Sequence, residues 1–86
     1  MNKSRIKKIV ERILRKPPEF MLSDILKVAE YFGWKYVECR GSHFKLTKSM
    51  RKPIVGVVHK GKVKRAFLID FINALDLEEW YEENKN

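Results

Sequence analysis

The 86 residues contain a single cysteine, Cys39. One thiol cannot close an internal disulfide, and it cannot by itself complete a zinc site. The fold must therefore rest on packing, and a reducing cytoplasm is the simplest expected location. Long apolar runs are missing as well: none approaches the ~18 residues that a membrane span needs. Residues 1–16 lack the uninterrupted apolar stretch and small-residue cleavage site of a secretory signal, because Lys7, Lys8, Glu11, Arg12 and Arg15 break them up. They fit an Arg-rich, acid-poor mitochondrial presequence only loosely. No internal repeat or low-complexity segment is present. A Gly-rich phosphate loop, paired catalytic carboxylates, a metal-ligand cluster and a Ser-His-Asp set are all absent from the pattern. No metal, cofactor or membrane partner is therefore expected.

What the chain does have is positive charge, placed unevenly within a net +8. Residues 1–16 hold seven Lys/Arg against Glu11, and residues 35–65 hold ten against Glu38. Residues 17–34 and 66–86 are net acidic. A merely solubilising charge would be spread more evenly. Concentration in the middle third points to a polyanionic partner, with RNA or DNA ahead of a membrane surface, although a solvated lysine face also produces such a pattern.

Ile6, Ile9, Val10, Ile13 and Leu14 repeat at i, i+3, i+4, i+7 and i+8, the stripe of an amphipathic helix. Pro17 and Pro18 end it, because neither can donate to the helical ladder. Ser23 is the expected N-cap of a second helix, with Asp24 suited to its positive end. Ile25, Leu26, Val28, Ala29 and Phe32 form that helix's buried face, and Gly33 its left-handed stop. Lys35 to Arg40 is β-branched and aromatic and reads as a strand. After a Gly41-Ser42 turn, His43-Phe44-Lys45-Leu46-Thr47 alternates strictly, placing Phe44 and Leu46 on one face and His43, Lys45 and Thr47 on the other. Pro53 to Val58 is a third strand, apolar on both sides, in which Gly56 marks a bulge or a close backbone approach. Phe67, Leu68, Phe71, Ile72 and Leu75 form a last main helix, and Trp80 and Tyr81 dock a short acidic one. An amphipathic sheet needs one face covered, so both central helices should pack on Phe44 and Leu46 and leave the face of His43 and Lys45 open.

On that open face His43 can move protons, since a free imidazole titrates at ~6.5. RNA carries its own nucleophile, the 2′-hydroxyl, so its cleavage requires a base, an acid and cations for the phosphorane rather than a metal. His43, with Ser42 beside it, is the candidate catalytic residue, against the alternative of a surface histidine capping a turn. Lys45, Lys60, Lys62, Lys64 and Arg65 are the candidate phosphate ligands, the last four flanking a turn into a helix N-terminus that welcomes anions. His59 is a secondary candidate: a second proton-transfer group, a phosphate ligand or a strand-end polar residue. Cys39 is expected to be small and buried, and Glu38 to pair with a neighbouring base. Tyr36 and Trp34 are candidates for base stacking.

The helix closing on Tyr31-Phe32-Gly33-Trp34, the Gly41-Ser42-His43-Phe44 element, the apolar strand ending at His59, the Lys60-Gly61-Lys62 turn and the helix through Leu75 together resemble the HicA toxin family. They cover about two-thirds of the chain in the family's order. The resemblance implies an α+β, double-stranded-RNA-binding-like fold: a three-stranded antiparallel sheet with helices on one face, here with an extra N-terminal helix. It divides one domain into a helical extension at 1–18, an α-β-β-β-α core at 20–76 and an acidic tail or short helix at 77–86. It also implies metal-independent mRNA cleavage with His43 as the catalytic residue, and neutralisation by a HicB-type antitoxin. Where the family's third strand commonly ends Pro-x-His, this chain has Val57-Val58-His59, which leaves His59 secondary. A non-catalytic basic RNA-binding module, or a domain whose basic face meets an acidic protein, would use the same surface.

Overall fold

The computed structural model describes residues 2–85. Along the chain run α1 (Lys3–Leu14), β1 (Glu19–Met21), α2 (Leu22–Tyr31), β2 (Lys35–Glu38), β3 (His43–Thr47), β4 (Ile54–Val57), β5 (Lys62–Lys64), α3 (Arg65–Leu75) and α4 (Leu77–Asn84). Asn2 caps α1 by accepting the Arg5 amide at 3.0 Å. The helix buries Ile6, Ile9, Val10 and Ile13, as their spacing requires. The start of α2 differs from expectation. Met21 rather than Ser23 precedes the first helical residue, and no side chain caps it. Instead the Leu22 amide donates to the Gly61 carbonyl at 2.9 Å. The backbone of the turn that leads into a neighbouring strand thus satisfies a donor that a serine would otherwise serve.

That neighbour belongs to a two-stranded antiparallel ribbon, β1 with β5, in the register Glu19 to Lys64, Phe20 to Val63 and Met21 to Lys62. The main sheet is β2-β3-β4, antiparallel throughout. Its inner face buries Phe44, Leu46 and Ile54. Here β4 carries Gly56 opposite Phe44. A Cβ on Gly56 would come within 2.5 Å of the Phe44 ring and 2.7 Å of Phe67, so the expected close approach is real and admits no side chain.

α2 and α3 cover this inner face, and α1 packs on α2, α3 and α4 rather than on the sheet. Phe67 of α3 meets Phe44 with ring centroids 5.2 Å apart and stacks on Phe71 at 5.8 Å. Trp80 of α4 stands edge-on to Phe32 at 5.2 Å, and the Tyr81 hydroxyl donates to Glu11 of α1 at 3.1 Å. One core joins all these elements, including the N-terminal helix. The architecture is α+β, with a three-stranded antiparallel sheet covered by helices on one side. Among the described residues no helix is long and apolar enough to cross a membrane.

Candidate nucleic-acid interface

The uncovered face of the main sheet follows from its register. Opposite residues in an antiparallel pair share a face. His43 faces Val57 and Lys45 faces Val55 on β4, while on β2 Val37 faces Lys45 and Lys35 faces Thr47. His43 is exposed, whereas its neighbour Phe44 is fully buried. The sequence alternation therefore places His43 and Lys45 where it said it would. The valines are the less expected part of the surface: Val55 is 63% exposed and Val57 51%.

A turn sets the position of His43. Its amide donates to the Arg40 carbonyl at 3.3 Å, and its carbonyl accepts from the Cys39 amide at 3.0 Å. Beyond β4, the Val58 amide donates to the Ser42 carbonyl at 2.9 Å, and His59 and Lys62 then exchange both backbone hydrogen bonds at 2.9 and 3.0 Å. Lys60 (φ 52°) and Gly61 (φ 77°) are the two central residues of that hairpin. Two consecutive positive φ values are the type I′ pattern, which suits the right-handed twist of a tight hairpin and favours glycine at one of the two. The Ser42–Val58 bond brings the His59–Lys62 hairpin to the end of the sheet that starts with His43.

The four basic residues around the hairpin divide into two pairs. Among the described residues Lys60 and Lys62 have no ion-pair partner, and both are exposed. Lys64 is bound to Glu19 at 3.0 Å. Arg65 donates from Nε to the Lys16 carbonyl at 2.7 Å, and its amide donates to the Pro18 carbonyl at 3.1 Å. The first amide of α3 is thus already occupied, and these two cations serve the β1–β5 corner. The Lys64 hydrogen bond and charge hold the Glu19 carboxyl below the usual glutamate range, with further lowering from Lys62 and His59. His59 and the lysines of β5 therefore share one outward surface with Glu19.

Other expectations need correction. Cys39 is exposed, not buried. It alternates with Val37 and Lys35 and so lies on the open face with them. Glu38 makes no ion pair among the described residues and is exposed. Tyr36 sits opposite Leu46 on the inner side and packs against Phe44 with centroids 5.6 Å apart, while Trp34 is 5% exposed. Neither ring is offered to a base beside His43. Among the described residues no group of His, Cys, Asp and Glu is placed to hold a metal ion.

Compared with known proteins, the chain matches no family model, no curated protein and no solved structure. The interface is defined by its own chemistry: an imidazole open to solvent, ammonium groups on the same face and at the same sheet end, and a row of exposed valines between them.

Proposed function

We propose that the protein is a toxin endoribonuclease that cleaves mRNA without a metal on a double-stranded-RNA-binding-like fold, and that a HicB-type antitoxin neutralises it. The observation that carries the reading is the placement of His43, exposed on an uncovered sheet face at the end where a cationic hairpin joins. The 2′-hydroxyl of the bound ribose attacks the adjacent phosphorus, and the 5′-oxygen of the next nucleotide leaves. The products are a 2′,3′-cyclic phosphate and a 5′-hydroxyl. His43 takes the proton of the attacking hydroxyl or supplies the one that the leaving oxygen needs. Lys45, Lys60 and Lys62 neutralise the charge that builds on the phosphorane. His59 stands at the same end of the sheet and is the second candidate for proton transfer.

Expression should arrest growth, and His43→Ala should relieve the arrest while leaving the circular dichroism spectrum and melting curve unchanged. A His43→Ala variant as toxic as the parent removes the catalytic assignment. A second reading is a non-catalytic RNA-binding module, and Val55 and Val57 favour it: exposed aliphatic groups help a binding surface and are not needed for proton transfer. Incubating RNA with purified protein separates the two, because a binding module shifts the RNA on a native gel and leaves it intact on a denaturing one.

A further inference from the structure

A groove of about 370 Å³ lies away from the His43 face, between α1, the start of α2 and the β1–β5 ribbon. Arg12, Asp24, Glu19, Met21, Lys62 and the buried Phe20 are among the residues that line it. The Arg12 guanidinium lies over the Phe20 ring, 5.5 Å from its centroid, and is held there by Asp24 at 3.3 Å. Its side chain nevertheless stays 51% exposed. The exposed part of the guanidinium is open to a ligand, and a guanidinium plane is a platform on which an unpaired base stacks. The volume is of the size that holds a small organic ligand.

The surroundings of the groove form a path. On one side Lys62 leads through Lys60 to the hairpin that meets Ser42, and so to His43. On the other side Lys8 and Arg5 lie four and seven residues before Arg12 on one helical stripe, both exposed. The two carboxylates of the groove are already compensated, Glu19 by Lys64 and Asp24 by Arg12 and Lys27. They do not repel a phosphate as free carboxylates would, and their oxygens still accept hydrogen bonds from a base that carries an amino group.

We propose that this groove is a nucleotide subsite for single-stranded RNA. A strand lying across His43 passes over the His59–Lys62 hairpin, lays one base on the Arg12 guanidinium and runs its backbone along Lys8 and Arg5. The inference rests on the RNA-directed reading above and extends it, since it makes the N-terminal helix part of the substrate surface. An acidic protein segment is the competing occupant. It would use Arg12 and Lys62 as charges and would be indifferent to the plane of the guanidinium.

The test uses the full chain carrying His43→Ala, so that RNA is not consumed, and measures affinity for single-stranded RNA of increasing length against salt concentration. Arg12→Lys keeps the charge and loses the plane. It should weaken binding of the longer RNAs roughly tenfold, within the range for one lost stacked base, and leave the salt dependence unchanged. Lys62→Ala should make the slope of log affinity against log salt shallower by ~0.7, the value for one phosphate contact on a single strand. The shortest oligonucleotides, confined to the His43 face, should not respond to Arg12→Lys, and melting curves should show both variants folded. If the parent binds RNA and Arg12→Lys matches it at every RNA length, the subsite is overturned and the RNA reading stands. If the parent binds no RNA, both fall. If polyglutamate binds, loses affinity on Lys62→Ala and keeps it on Arg12→Lys, while RNA also keeps its affinity on Arg12→Lys, the groove is a contact for acidic protein and the nucleotide assignment is overturned.

Discussion

His43 and Gly56 show how much a single position can reveal. Strict alternation over five residues is enough to put Phe44 and Leu46 inside and His43 outside, because a strand has a period of two and only one face of this sheet is covered. The same rule, carried across the turn, also places Cys39 outside with Lys35 and Val37. The expectation of a buried thiol followed residue type rather than register, and register decides. Gly56 was legible as a close approach, yet its partners, Phe44 and Phe67, are 12 and 11 positions away and only the fold reveals them. Gly56→Ala should destabilise the domain by about 1–3 kcal/mol, the cost of forcing a methyl into a filled core, because one of the two rings must leave its position. Urea denaturation of the purified variant measures it.

Among the elements, the helices announce themselves and the ribbon does not. α1, α2 and α3 each repeat apolar residues at helical spacing for three turns or so, and the docking of Trp80 and Tyr81 through α4 follows from two aromatic residues in an acidic segment that would otherwise leave them in water. β1 and β5 have three residues apiece. Each buries a single side chain, Phe20 or Val63, which is too little for a period to register. Their pairing is long-range, and it displaces Ser23 from its expected capping role. The ribbon's cross-strand pair, Glu19 with Lys64, makes a pH-dependent contribution. The Glu19 carboxyl is depressed in the folded protein, so its stabilising effect is present above the ordinary glutamate range and is lost as pH falls through the depressed value. Glu19→Gln should therefore lower the melting temperature slightly at neutral pH. The gap between variant and parent should close in strongly acidic buffer; a gap that stays constant with pH would show that the charge plays no part.

For the molecule as a whole, α1 is part of the core rather than an appendage. Ile6, Val10 and Ile13 are fully buried and contribute to the same cluster as Phe44 and Phe71. An amphipathic stripe shows that a helix has a buried face without showing what lies against it; for α1 it is the common core. Its exposed cations remain on the outside. Ile13→Ala should cost about 2–5 kcal/mol in a denaturation experiment, the range for truncating a fully buried aliphatic side chain, and in so small a domain that is a large share of the total. The core also ties the beginning of the chain to its end, since Glu11 receives the Tyr81 hydroxyl and Lys16 pairs with Glu78 at 3.7 Å. The apolar stripe of α1 is therefore only partly covered until residues 77–84 dock against it, so loss of α4 should loosen α1 and the core beneath it together.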